Sequence, residues 1–321
     1  MIARRTLLTL PATMAAPALH AQDTWPSRTL RLVVPYAPGG VTDQLGRSIA
    51  ERLSRELGQT VVVENRAGAN TIIGTQAVAQ AAGDGYTLLM ASGASMVLNP
   101  MLYRRLPYDA GRELTLLASM VETPLLMVVP PSLSAANVQE FVALARQREM
   151  NVATVGIGNP IHLAAELFRI SAGIDLQNVV FPGSAPALTS LLAGDVQVMF
   201  DVILTSLPFV QTGRLRALGV TTRQRVPVLP DVPAIAELGF PEYEATTWFG
   251  VAAPSTVPDP IKARLRGALA AVQADPAFRE RFASLGLLIQ PARDEAGLAA
   301  MLEAERRRWS GVIQARGIVL D

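Results

Sequence analysis

From residue 30 onward the chain alternates short runs of apolar, β-branched residues with longer amphipathic segments. This alternation is typical of parallel sheets whose strands are buried on both faces and connected by helices. The first unit reads as a strand at 29–36, a glycine turn, and a helix over 42–57 that ends at Gly58. We therefore predict an α/β fold.

The chain has 321 residues, which is more than one hydrophobic core normally serves, so its length favours two domains. We predict that residues 22–124 together with 250–321 form domain 1, and that residues 125–249 form domain 2. The apolar runs at 125–129 and 248–253 read as the two crossings. Two crossings between two doubly wound domains make a hinge beside a cleft, which is the natural ligand site.

The N-terminus has the layout of an export signal. Arg4 and Arg5 precede an uncharged run over 6–18, and the first acidic residue is Asp23. We predict that residues 1–21 are a signal peptide and that the mature protein is periplasmic. The paired arginines fit both a Sec signal and a loose twin-arginine signal, so the export route stays open.

Composition argues against several kinds of site. The chain has no cysteine, and its 28 basic and 27 acidic residues leave no basic excess for nucleic acid. Its two histidines are His20, inside the predicted signal, and His162, so a zinc site is not expected. The sole lysine, Lys262, lies in a C-terminal helical segment, which argues against a P-loop or a pyridoxal cofactor. We expect no metal, no cofactor and no nucleic-acid partner.

The strongest local motif is the sequence PGGVTD at 38–43, between a strand and a helix. Two glycines let a ligand approach the backbone, and the start of a helix offers unpaired N–H groups to an anion. Thr42 and Asp43 stand where N-cap residues are expected. The alternative is that the glycines only form a tight turn and that Asp43 only caps the helix.

Two similar turns follow strands of the second domain, GIGNPIH at 156–162 and PGSAP at 182–186. Helix starts converging from both domains could hold a carboxylate without an arginine. Asp201 ends a further strand, and we expect it to cap a helix or bond at the hinge, since it would repel an anion. For His162 we favour a hydrogen bond to the loop backbone over ligand contact.

Motifs along nearly the whole mature chain resemble the tripartite tricarboxylate transporter receptors, the Bug family. In order they are LVVPY at 32–36, PGG at 38–40, VVVENRAGA at 61–69, DGYTLL at 84–89, HLAAELF at 162–168, GSAPAL at 183–188, LPDVP at 229–233 and WFG at 248–250. The resemblance implies a type II periplasmic-binding-protein fold. It also implies that backbone amides and bridging waters hold a ligand carboxylate.

By motif position, the resemblance implies a set of ligand-binding residues on two walls. They are Tyr36, Gly39, Gly40, Thr42 and Asp43 on one wall, and Ser92, Gly158, Asn159, His162, Gly183, Ser184, Ala187 and Asp201 on the other. Val202 departs from the family, whose members often carry a polar residue there, and Tyr36 stands where phenylalanine is common. Because Val202 removes a hydrogen-bonding group and Tyr36 adds one, the resemblance does not imply the identity of the ligand.

The function implied is that of a monomeric periplasmic solute-binding protein, not an enzyme. It would close on a dicarboxylate, a tricarboxylate, an aromatic acid or an acidic amino acid. It would then deliver the ligand to the membrane permease subunits of a tripartite tricarboxylate-type transporter. Two alternatives stay open, a sensor kinase as the partner and an exported hydrolase using Ser184 or Ser92 with His162.

Overall fold

A computed structural model describes residues 25–321, so the predicted signal peptide at 1–21 lies outside the described residues. The strands are β1 (Leu30–Val34), β2 (Val61–Asn65), β3 (Thr87–Ser92), β4 (Leu114–Val129), β5 (Asn151–Val155), β6 (Gln177–Phe181), β7 (Val198–Val202), β8 (Arg216–Val220), β9 (Thr246–Pro254) and β10 (Leu288–Ile289). The helices are α1 (Val41–Leu57), α2 (Ile72–Ala79), α3 (Asn99–Leu102), α4 (Ala110–Glu113), α5 (Val138–Ala145), α6 (Pro160–Ala172), α7 (Ser184–Ala193), α8 (Ile203–Gln211), α9 (Asp259–Ala274), α10 (Pro276–Ala283) and α11 (Glu295–Arg316). A π-helical turn covers Ala94–Leu98, and a 3-10 turn covers Ile235–Leu238.

The first lobe is built on a sheet with the order β2–β1–β3–β9–β4. Strand β1 pairs in parallel with β2 and β3, and β9 runs antiparallel to β3 and β4. Every residue of β3 is buried, because helices cover the sheet on both sides. In the core of this lobe, Leu45 and Ile49 of α1 pack in one apolar cluster with Leu265 and Leu269 of α9. The α/β prediction is confirmed here.

The second lobe repeats this plan with the order β4–β7–β5–β6, and β8 also pairs with β4. Strands β6 and β7 are parallel to β5, and β7 is antiparallel to β4. The ring of Phe168 on α6 lies at the centre of the core, with its centroid 5.4 Å from that of Phe200 and 5.8 Å from that of Tyr243. Such aromatic contacts fix the packing of α6, whose first three residues are the end of the GIGNPIH motif.

Strand β4 has 16 residues and belongs to both lobes. It pairs with β9 as far as Pro124, and from Leu125 it pairs with β7 and β8. The sequence predicts separate strands at 113–119 and 125–129, and this was wrong, because the residues between them continue the ladder with β9. The pairing partners change at Pro124 and Leu125; the domain ranges themselves stay a prediction.

Helix α11 contacts elements of both lobes. Its Arg316 Nε lies 2.6 Å from Glu166 Oε2 on α6, and its Arg308 Nη2 lies 2.7 Å from Glu244 Oε2 beside β9. Its apolar residues Trp309 and Val312 belong to the same core cluster as the second lobe. Within residues 25–321 no helix combines the length and the apolarity that crossing a bilayer requires.

The carboxyl group of Glu305 on α11 is buried against the hinge strand β9. Only 7% of the residue is exposed, and its Oε2 accepts the indole N–H of Trp248. Burial raises the pKa of Glu305 to about 7, although the bond from Trp248 acts in the opposite direction. The native state therefore keeps the proton of Glu305 to a higher pH than the unfolded chain does.

We expect Glu305 to make the protein less stable as the pH rises. Its folded pKa lies above the unfolded value, so its favourable contribution is complete below pH 4.5 and is lost as the pH rises through about 7. The wild-type protein should lose roughly 3 kcal/mol from this group by pH 8, and Glu305→Gln should remove that loss. Urea unfolding at several pH values measures it. Glu303→Gln, on the exposed side of the same helix, should follow the wild type, and parallel profiles for all three proteins would contradict the assignment.

Candidate functional site

A cavity of about 560 Å³ lies between the two lobes. The residues that line it follow the carboxyl ends of β1, β2, β3, β5, β6 and β7, and the hinge strands β4 and β9 complete the wall. In open α/β sheets, ligands bind outside the carboxyl ends of the strands. The fold therefore brings six strand ends from two lobes to one cavity, which makes it the candidate ligand site.

The lining combines apolar surface with a few neutral hydrogen-bonding groups. Its apolar side chains include Leu125, Val155, Phe181, Val202 and Phe249, and its polar ones include Tyr36, Asn70, Thr71, Tyr103, Asn159 and Thr247. Among the residues that the structure describes, none of those lining the cavity has a charged side chain. An anionic ligand here would have to be held by neutral donors rather than by an ion pair.

Tyr36 lines the cavity, and Ser92 holds the hydroxyl group of Tyr36. Their hydroxyl oxygens are 2.9 Å apart, and the tyrosine ring meets Phe249 edge-on with the centroids 5.9 Å apart. Burial raises the pKa of Tyr36 to about 12, so its phenol is neutral at ordinary pH. Ser92 is itself buried and does not line the cavity. Tyr36 therefore presents an oriented hydroxyl and ring edge.

The glycine turn after β1 is closed by Asp43. Gly39, at φ +85°, donates its N–H to Asp43 Oδ2 at 3.0 Å, Arg47 Nε donates to the same oxygen at 3.0 Å, and Asn65 Nδ2 donates to Oδ1 at 2.9 Å. Burial by itself would raise the pKa of Asp43, but these bonds outweigh it and the pKa is lowered. The N–H of Gly39 is thus already satisfied within the protein.

The N-cap prediction for Thr42 and Asp43 was wrong. The N-cap is Gly40, and helix α1 begins at Val41. Asp43 lies within the first turn of α1, and its carboxylate accepts the N–H of Gly39, the residue before the N-cap. Asp43 therefore bonds backwards from inside the helix and is not the N-cap residue. The four candidates of this turn, Gly39, Gly40, Thr42 and Asp43, lie outside the cavity lining.

Asp43→Ala should lower the free energy of unfolding by roughly 2 to 4 kcal/mol, because it removes the buried acceptor of three hydrogen bonds that hold the turn. Urea unfolding followed by tryptophan fluorescence measures the change. Asp84→Ala is the matched control, since Asp84 forms an exposed ion pair with Arg28 at 2.8 Å, and it should cost less than about 1 kcal/mol. Equal losses in the two variants would show that Asp43 does not hold the turn.

The loop after β5 brings the second lobe to the cavity. Gly156 and Asn159 line it, and Asn159 Oδ1 caps α6 by accepting the N–H of His162 at 3.0 Å. Gly158 has φ +78°, and a Cβ there would lie only 2.6 Å from Leu102 Cδ1 on α3. Only glycine fits between this loop and α3, so Gly158 shapes the wall without lining it.

His162 is buried behind this loop. Its Nδ1 accepts the N–H of Gly158 at 3.2 Å, and its Nε2 lies 3.6 Å from Glu166 Oε1. Burial lowers the pKa of His162, so the neutral imidazole predominates near neutral pH. The Ser92 hydroxyl is paired with that of Tyr36, and Ser184 Oγ donates to Asp201 Oδ1, so neither serine of the hydrolase alternative is hydrogen-bonded to His162 within residues 25–321.

Asp201 joins the starts of two second-lobe helices. It is fully buried, and it accepts hydrogen bonds from Ser184 Oγ at 2.7 Å, from Ser206 Oγ at 2.6 Å and from Thr205. Burial raises its pKa, although the three hydroxyls act in the opposite direction. Gly183, Ser184, Ala187 and Asp201 all lie outside the lining, whereas their neighbours Pro182 and Val202 belong to it.

Several lining residues were not among the sequence candidates. One such group is the loop after β2, where Ala67, Gly68, Asn70 and Thr71 line the cavity and which held no candidate at all. Phe181 and Pro182 at the end of β6, and Thr247 and Phe249 on β9, were also missed. The signal available for the first group was its position after a strand, at the end of the VVVENRAGA motif and directly behind it.

A family model for the tripartite tricarboxylate transporter family receptor matches residues 45–318. This chain belongs to that family. The protein BugT of Bordetella pertussis is 35% identical to it over 315 residues, which cover 96% of this chain and 95% of BugT. Both the predicted family and the predicted α/β class are therefore confirmed, and the family is one of solute-binding receptors.

Solved structures show the same fold. R. palustris Rpa4515 with adipate has a TM-score of 0.83 and 34% identity, covering 92% of this chain and 99% of that one. MatC from Rhodopseudomonas palustris with bound malate has a TM-score of 0.79 and 32% identity, covering 90% and 100%. The periplasmic binding protein BugD has a TM-score of 0.80 and 32% identity, covering 92% and 99%. The receptor thus has the type II periplasmic-binding-protein fold, with two α/β lobes, two crossing segments and a cleft between them.

Proposed function

We propose that this receptor binds a small carboxylate in the cavity between its lobes and that the lobes close around it. The observation that carries the proposal is the meeting of six strand ends at one cavity of about 560 Å³. That volume is within the range of small-molecule sites, roughly 300 to 1,000 Å³. The structures of Rpa4515 with adipate and of MatC with malate support a carboxylate ligand.

The lining favours an acid with an apolar body. Val202 and Phe181 present hydrocarbon to the cavity from the second lobe, and Phe249 does so from the hinge. A heavily hydroxylated acid would bury polar groups against these side chains without partners, which is costly. Aliphatic dicarboxylates and aromatic acids place their charge at the ends and their hydrocarbon in the middle, which suits the observed division.

The residues proposed to bind the ligand directly are Tyr36 and Asn159, one from each lobe. The other sequence candidates act on the ligand indirectly in this proposal, since they shape the turns that carry the lining.

We further propose export to the periplasm through the segment at 1–21 and delivery of the ligand to the membrane permease subunits of a tripartite tricarboxylate-type transporter. Closure of two lobes gives the permease a surface that differs between the free and the loaded receptor.

A thermal-shift screen tests the binding proposal. Adipate or benzoate should raise the melting temperature more than citrate does, and a ligand present at 100 times its Kd stabilises the native state by roughly 2.7 kcal/mol. Adipamide, which has the same carbon chain without charge, is the control and should have a much smaller effect. No stabilisation by any acid at millimolar concentration would refute the proposal.

Val202→Asn should change the ligand preference, because it places a hydrogen-bonding group on an apolar part of the wall. We expect the Kd for adipate to rise at least about threefold, a loss near 0.7 kcal/mol, and the Kd for malate to fall. Val180→Asn is the matched control, since Val180 is 52% exposed on β6 and lies outside the lining. Calorimetric titration of both variants with both acids measures the change, and an unaltered adipate-to-malate ratio would count against the role of Val202.

A further inference from the structure

Three consecutive residues in the loop after β2 have left-handed backbone conformations, and the last two of them line the cavity. The φ angles are 45° at Ala69, 50° at Asn70 and 74° at Thr71, and none of these residues is glycine. Residues with a Cβ adopt this region singly and at a cost, and runs of them are unusual. Such a segment persists only where surrounding contacts hold it, and strain of this kind is concentrated at functional sites.

One buried side chain supplies three of the hydrogen bonds that hold the segment, and the starting turn of α2 supplies others to the carbonyls of Ala69 and Thr71. Asn99, at the start of α3, is fully buried. Its Nδ2 donates to the carbonyl of Asn70 at 2.7 Å and to Thr71 Oγ1 at 3.2 Å, and its Oδ1 accepts from Asn70 Nδ2 at 2.8 Å. Asn99 therefore binds the main chain and the side chain of Asn70 together.

The position of Asn99 is itself fixed by Tyr108. The Tyr108 hydroxyl lies 3.4 Å from Asn99 Nδ2 and donates to the carbonyl of Ser95 at 2.8 Å. Tyr108 is 5% exposed and packs in a small apolar cluster with Ile72 and Ala110. This arrangement connects the strained segment to the interior of the first lobe.

The segment keeps backbone donors that the protein does not use. Within residues 25–321, the N–H groups of Asn70 and Thr71 donate to no protein acceptor. Thr71 is only 4% exposed, and both residues line the cavity. A buried N–H needs a partner, which here must be water or a ligand. The carbonyl of Asn70 is already bonded to Asn99, so this part of the wall suits a ligand oxygen with negative charge.

We propose that Asn70 and Thr71 form a ligand-contact segment and that Asn99 is the positioning residue that holds this segment in the left-handed conformation. The inference rests on the proposed carboxylate site. It adds to that site a source of hydrogen-bond donors for the ligand, in a cavity that has no charged lining residue. Asn99 does not touch the ligand; it acts through the backbone of Asn70.

Asn99→Leu should raise the Kd for adipate and for malate at least about tenfold, because the freed segment leaves the left-handed region. Adding Ala69→Gly to that variant should restore the affinity at least about threefold, since glycine adopts positive φ without a steric penalty. A purely structural role for Asn99 predicts no such rescue. Asn70→Ala removes the hydrogen bond that Asn70 Nδ2 donates to Asn99 Oδ1, at a half-buried position, and serves if Asn99→Leu does not fold. Ile49→Val, in the first-lobe core, is the control: it should lower the melting temperature and leave both Kd values unchanged.

Hydrogen–deuterium exchange of the wild-type receptor with adipate and with malate separates this inference from the proposal on which it rests. Protection of the amides at both 69–73 and 156–161 supports both. Two outcomes overturn the role of Asn99 and leave the cavity as the ligand site. The first is protection at 156–161 alone. The second is a Kd within twofold of the wild-type value for both Asn99→Leu and Asn70→Ala when these variants are folded. No protection and no binding with either acid overturns both.

Discussion

The two lobes can share one cavity because strand β4 runs through both of their sheets without a break. Its first part is held by β9 and its last five residues by β7 and β8. The carboxyl ends of the parallel strands in each lobe then face a common space, and the short loops after those strands become its walls. A rotation about the β4 and β9 segments between the lobes would change the distance between the walls while each sheet kept its own hydrogen bonds.

Acidic residues near the cleft stabilise the turns behind the cavity and do not themselves line it. Asp43 holds the turn after β1 through three donors, and Asp201 joins the starts of α7 and α8 through three hydroxyls. Each carboxylate is turned away from the cavity by its own protein partners, so it does not meet an anion directly. The lining is left with neutral groups, which suits a ligand that brings the charge itself.

Much of the fold could be predicted from the sequence, since strand and helix periods are local properties. The helix predicted over 42–57 covers Val41–Leu57, and the strand predicted at 29–36 covers Leu30–Val34. Helix α8 was missed because Pro208 interrupts its pattern, and the π-helical turn at Ala94–Leu98 has no clear local signal. The division of β4 into two strands failed because Pro124 reads as a break, although a proline is tolerated where the pairing partners of a strand change.

The sequence by itself determined the α/β class, the family and the loops after β1, β5 and β6 at the candidate site, because these depend on local composition and on motifs in order along the chain. Only the tertiary structure decided which groups of those loops face the ligand cavity. The N–H of Gly39 is taken by Asp43, Ser184 is bonded to Asp201, and Asn70 is held by Asn99 across 29 positions of sequence. Whether a donor remains free depends on such distant partners, and a motif does not record them.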